Sequence, residues 1–302
     1  MTATPDGKQA LGVGPDNMPR VWNLETGDEL QKIAAPPRIA CAAYSPDGRA
    51  VALGADDGAV WLVPIEAEAE PRRFEGHEDD VTCLTFEPLG GHLLSGGKDR
   101  EVCVWEVATG EALPRTFRQA STVTCLYCTL DGQHLQTGSQ DGEVAFWSMA
   151  EGTIGHRLRG NTSPVVAVAA TPDGREAFSL TADGEIRHWN LETGKQEGEA
   201  RYPLSERDRV TCAAFSPGVT RLLVGTSQNE LGLWNLSAGA LEPPSEKLRG
   251  VPASAIFLPR MAGDKASTSF ARHCLSMIEV RNSASRVRCR WRFCDGSNTR
   301  SM

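Results

Sequence analysis

The chain has 302 residues, enough for one large β domain or two smaller ones, and 40% of them are hydrophobic. Its formal charge of −8 hides an asymmetry: residues 260–302 carry nine Lys and Arg against three acids, leaving about −14 on the remainder. An acidic body lacks the clustered positive charge of a general DNA or membrane-surface binder, and no apolar run approaches the roughly 18 residues of a membrane span.

In chain order, Met1–Gly7 has neither the basic nor the apolar stretch of a signal peptide. The nine cysteines are therefore expected as free thiols in a soluble, cytoplasmic protein. Met1-Thr-Ala-Thr runs straight into Pro5-Asp6-Gly7, so the first repeat is expected to lack its opening strand. From there the tryptophans set a period. Trp22, Trp61, Trp105, Trp147, Trp189 and Trp234 are spaced by 39, 44, 42, 42 and 45 residues. Each sits in an alternating apolar segment with strand character: RVWNL, AVWLV, VCVWEV, VAFWSM, IRHWNL, LGLWNL. Thr-Gly or Ala-Gly often follows, as at Thr26-Gly27, Thr109-Gly110, Thr193-Gly194 and Ala238-Gly239.

Upstream of each tryptophan come a second strand and a tight turn: GADDG, GGKDR, SQDG, TADG, SQNE. Asp, Asn and Gly tolerate the positive φ that such turns require. Further upstream, a third strand ends in AYSPDG, TFEPLG, ATPDG or FSPG. Four short strands about every 42 residues, without helical periodicity, predict the blade of an all-β propeller.

This pattern resembles the WD40 repeat family over residues 1–259. The Trp-Asp pair that names the family is altered throughout, the next residue being Asn23, Leu62, Glu106, Ser148, Asn190 or Asn235. The stretch GHEDDVTC, residues 76–83, offers a histidine, three acids and a thiol for chemistry. Aligned on Pro46, Pro88, Pro172 and Pro217, His77 falls on Ala35, Gln119, Asn161 and Glu206, and Cys83 on Cys41, Cys125, Ala167 and Cys212. A thiol repeated at one strand position acts as a small hydrophobe between crowded inner strands and brings no second metal ligand with it. The resemblance implies a hydrogen-bonded set of His77, Ser95, Asp99 and Trp105. The same Ser–His–Asp trio could be read as a hydrolase triad, but the tryptophan and the repeat register favour scaffold. Cys125 and Cys128 are three apart on a strand, hence on opposite faces, and lack the helix N-terminus a redox pair needs. The phosphate-loop, GxSxG and HExxH patterns do not occur.

Residues 253–258, ASAIFL, read as an inner strand that either completes blade one of a six-bladed ring or opens a degenerate seventh blade, the seventh being favoured. Residues 278–282, IEVRN, match 231–235, LGLWN, and Arg286, Arg288, Arg290 and Arg292 alternate with Val287, Cys289, Trp291 and Phe293 as in a half-buried outer strand. Residues 260–302 are thus a degenerate last blade or a basic tail. The arginines could meet RNA or an acidic partner, or be a solvated edge that resists edge pairing.

The resulting expectation is a non-enzymatic scaffold that needs no cofactor or metal and binds a protein or peptide, not DNA or membrane. The resemblance places partners on the face formed by residues before the inner strand and before the turn Asp. Here these are Arg38, Asp79, Asp80, Lys98, Gln140, Arg207, Asp208 and Gln228. Two alternatives stay open: a shortened or sensor portion of a larger WD40 protein, and a propeller hydrolase with a channel metal.

Overall fold

Turn residues cut the chain into strands of two to eight residues, each pairing antiparallel with its neighbour in sequence. The computed structural model describes residues 2–247, apart from 5, 14–17, 25, 34–37, 66–69, 217 and 229, together with 279–283 and 286–290. These residues contain no helix and form six four-stranded blades arranged as a β-propeller. Blade three shows the plan: Val81–Phe86 is innermost, then His92–Gly97, Glu101–Glu106 and Ala112–Arg118 outermost.

The inner strands Ile39–Tyr44, Val81–Phe86, Val123–Cys128, Val165–Ala170 and Val210–Phe215 open blades two to six. Each has a register shift near its start, as between Val123 and Cys125 opposite Ser139 and Gly138. A bulge leaves one residue unpaired in the ladder and re-aims its side chain. At Thr82 and Thr124 the freed hydroxyl donates to the next blade, to the Val123 and Val165 carbonyls at 2.5 and 2.6 Å. The bulge thereby ties neighbouring blades together.

The same seam explains the repeated thiol. A Cβ built on Gly138 would lie 2.6 Å from both Cys125 Sγ and Val165 Cγ1. Gly54 stands equally close to Cys41 and Val81, and Gly96 to Cys83 and Val123. Cysteine, glycine and the next blade's valine interlock at three successive junctions, so the expected small-hydrophobe role is what the packing shows.

Two local expectations change. Blade one does have an inner strand, but it is only Thr2–Ala3, paired to Leu11 and Ala10. Trp61 does not occupy the register of the other tryptophans. Leu93 pairs with Trp105 one step in from His92↔Glu106, whereas in blade two Ala50↔Pro64 is followed by Val51↔Val63. Val63 therefore takes the tryptophan position and Trp61 lies two residues early, half-buried, with the Arg73 guanidinium 5.7 Å from its ring centroid. Counted through Val63, the leading spacings become 41 and 42 residues, so the irregularity of 39 and 44 disappears.

Residues Glu279–Ser283 and Arg286–Arg290 pair as a two-stranded antiparallel sheet, Arg281 opposite Arg288. The proposed inner strand at 253–258 and Arg292 lie outside the described residues.

Candidate functional site

The His77 set assembles as the resemblance implied. His77 Nδ1 is 2.7 Å from Asp99 Oδ2, His77 Nε2 is 2.7 Å from Ser95 Oγ, and Trp105 Nε1 donates to Ser95 Oγ at 2.7 Å. Asp99 also accepts the backbone N–H groups of Glu78 and Glu101, each at 3.1 Å. One proton arrangement satisfies all donors: Trp105 gives to Ser95, Ser95 gives to His77 Nε2, and His77 Nδ1–H gives to Asp99. The tautomer is assigned from these directions. Gly97 makes the room, since a Cβ there would lie 2.5 Å from Asp99 Oδ1 and 2.8 Å from His77 Nδ1.

The connectivity matches that of a hydrolase triad, but the access does not. Ser95 is wholly buried, as is the His77 side chain. Ser95 Oγ is already engaged on both sides by His77 and Trp105, so it is not free to attack a substrate. The set is a buried polar network that holds four blade segments in register.

Shorter versions recur in the next two blades. Gln119 Nε2 and Trp147 Nε1 both donate to Thr137 Oγ1, the latter at 2.9 Å. In blade five, Ser179 Oγ reaches Asn161 Oδ1 at 3.4 Å while Trp189 Nε1 donates to Ser179 Oγ at 3.3 Å. The hubs Thr137 and Ser179 were not picked out from the sequence, though a hydroxyl ten residues before the tryptophan marks all three blades. Trp61 Nε1 and Trp234 Nε1 have no hydrogen-bond partner. Trp61 pairs with Leu53 in blade two, and in blade six Val224 stands at the hydroxyl position ten residues before Trp234.

The six described cysteines, Cys41, Cys83, Cys103, Cys125, Cys128 and Cys212, are free and at least half-buried. Burial pushes the Cys83, Cys103 and Cys128 thiols up to about 12 and Cys212 to about 11, and raises Cys41 and Cys125 as well. A raised thiol pKa removes the thiolate that nucleophilic and redox chemistry need. In the native protein at pH 8, a small thiol-alkylating reagent should leave these six unmodified while denatured protein reacts at all nine. Mass-mapped modification of Cys125 at a free-thiol rate would contradict this. The same shifts make stability fall as pH rises past the ordinary thiol value of roughly 8.5, where only the unfolded chain loses its protons.

The expected partner face is built by one repeated backbone bond. The turn N–H of Asp56, Lys98, Gln140, Ala182 and Ser227 donates to the carbonyl of Arg38, Asp80, Thr122, Pro164 and Arg209, just before each inner strand. This brings both sets of candidate positions to the same end of their blades. Arg38, Asp79, Lys98, Gln140, Arg207 and Gln228 are exposed and Asp80 is half-buried. Lys98 pairs with Asp80, which holds the Asp80 carboxyl below and the Lys98 ammonium above their usual values, and Arg38 pairs with Asp56 at 3.2 Å.

Asp208 is the exception. It is 1% exposed and accepts from Ser227 Oγ at 2.7 Å and from the N–H groups of Arg209 and Gln228 at 2.8 and 3.0 Å. It fastens the entry of blade six to its turn and presents nothing to a partner. Arg38, Arg100 and Arg207 adopt positive φ, 66°, 71° and 65°, on this end. Arg100 stands where the turns of blades two, four and five have Gly58, Gly142 and Gly184.

A family model for the WD domain, G-beta repeat, matches residues 69–106 and 152–190. The chain carries WD40 repeats in these two places. Protein groucho of Drosophila melanogaster is 28% identical over 112 residues, 36% of this chain and 15% of that protein. WD repeat-containing protein 18 of Danio rerio is 31% identical over 94 residues, covering 31% and 22%. Pre-rRNA-processing protein IPI3 of Mycosarcoma maydis is 34% identical over 88 residues, covering 29% and 15%. The aligned stretches thus span less than a quarter of each of these relatives.

Proposed function

We propose that this WD40 propeller is a non-enzymatic scaffold in the cytoplasm that binds a protein or peptide segment across blades two to six. The observation that carries this reading is the common end defined by the repeated turn bond. There Arg38, Asp79, Asp80, Lys98, Gln140, Arg207 and Gln228 differ from blade to blade, while the positions beneath them repeat. A surface that changes round a constant frame can recognise an asymmetric partner. The buried hydroxyl of Ser95 and the raised thiol pKa values support a non-catalytic role. No helix of the described residues is long and apolar enough to cross a membrane.

Reversal of charge at Lys98, Asp79, Asp80 and Arg207 should abolish capture of the partner from source-cell extract while leaving the melting temperature close to that of wild type. Lys98, Asp79 and Arg207 are exposed, and a surface pair such as Lys98–Asp80 contributes little to folding. Partners retained at wild-type levels by an equally stable variant would defeat the assignment of this face. The arginines of 286–292 would then be the next surface to reverse, in line with an acidic or RNA partner. A larger protein of which this chain is the sensor portion fits the short overlap with the relatives.

A further inference from the structure

Outside the networks above, one cluster has ligand geometry. Glu176 opens the second strand of blade five, His188 lies on its third and Glu197 on its outer strand. One donor atom from each lies within 4.8 Å of the others. We propose that these three residues form a binding site for a divalent first-row transition ion, Zn2+ above all.

The histidine is positioned for this. Its ring stacks on Phe178 at 4.6 Å between centroids and 3° between planes, which fixes where the nitrogens point. Nε2 is dry and has no hydrogen-bond partner, although it lies 3.3 Å from Glu176 Oε2. The contact is close but makes no hydrogen bond, which leaves Nε2 without a competing partner. Glu197 is held from behind, its Oε1 accepting from Asn190 Nδ2 at 2.8 Å, an outer-shell bond of the kind that orients metal ligands. Phe178 in turn contacts the Phe215 ring of blade six, 6.4 Å between centroids.

Two carboxylates this close repel, and His188 Nε2 is the only basic group paired with either among the described residues. A dication converts that repulsion into attraction. Two oxygens and one imidazole nitrogen are a borderline donor set that suits Zn2+ and excludes a preference for Ca2+ or Mg2+. Three protein ligands leave a fourth tetrahedral position to water.

Titration of the 302-residue chain with zinc chloride alone tests this. One equivalent should bind at neutral pH, with release of the ion on addition of a chelator. Glu197 is exposed, so Glu197→Gln keeps the fold and should weaken this equivalent at least about tenfold, as should His188→Ala. The exposed Glu192, outside the cluster, serves as control, and Glu192→Gln should bind as wild type. Cobalt in place of zinc should show no thiolate charge-transfer band, separating the site from the cysteines. Failure of wild type to bind zinc overturns the proposal. So does unchanged affinity in Glu197→Gln, or a thiolate band from the bound equivalent.

Discussion

Trp105→Ala should lower the unfolding free energy by about 3–5 kcal/mol, the range for truncating a fully buried aromatic. The ring is 0% exposed and lies 5.7 Å from the Phe74 ring, close enough to blade-three backbone that a Cβ on Gly76 would sit 2.7 Å from it. Its Nε1 donates to Ser95 Oγ, so truncation also removes one of that buried hydroxyl's partners. Trp61→Ala is the discriminating comparison. A reading by tryptophan period alone treats the two as equivalent. The register makes Trp61 a half-buried ring with an unpartnered Nε1, and Val63 the residue in Trp105's place. Its loss should therefore cost less than half as much. Urea denaturation of both variants measures the difference, and equal costs would overturn the reassignment.

The second large effect lies at a blade junction. Gly138→Ala should destabilise by about 1–3 kcal/mol through overpacking alone. Its Cβ would approach Cys125 Sγ and Val165 Cγ1 at 2.6 Å and Val165 Cβ at 2.9 Å, and neither neighbour has a flexible far end to move away. Cys125→Ala should then be less harmful, or even beneficial, in the Gly138→Ala background, because it opens one of the two contacts. The remaining clash with Val165 keeps the rescue partial. A double-mutant cycle reads this coupling directly, and strictly additive costs would show that the cysteine and glycine do not interlock.

Much of the architecture was readable without tertiary information because each blade is a local unit. Apolar alternation, the Ser-Pro-Asp-Gly and Asp-Gly turns and the Thr-Gly corners recur at fixed offsets, and each has a local cause. Asp47 illustrates it: Ser45 Oγ donates to its carboxylate at 2.5 Å and the Arg49 N–H at 3.0 Å, while Gly48 takes φ of 71°. The His77 set was legible for the same reason, its four members each standing at a characteristic place in the blade. The hubs Thr137 and Ser179 were visible as aligned hydroxyls but gain meaning only once Gln119 and Asn161 are seen to reach them. The site formed by Glu176, His188 and Glu197 had no sequence signal. Its members are 12 and 9 residues apart on three different strands, and only strand pairing brings them together.

By itself the sequence determined the blade period, the turn conformations and the small residue required at each inner-strand junction, since these follow from backbone φ, side-chain volume and alternation over a few residues. Tertiary structure alone decided that Val63 rather than Trp61 completes blade two, that Asp208 is buried instead of facing a partner, and that Ser95 is sealed from any substrate. Those outcomes depend on which residue pairs across a ladder and which blade covers it. Both are set by pairing between different strands and turns, as of Val51 with Val63, Asp208 with Gln228 and Ser95 with His77, which the pattern along one strand does not encode.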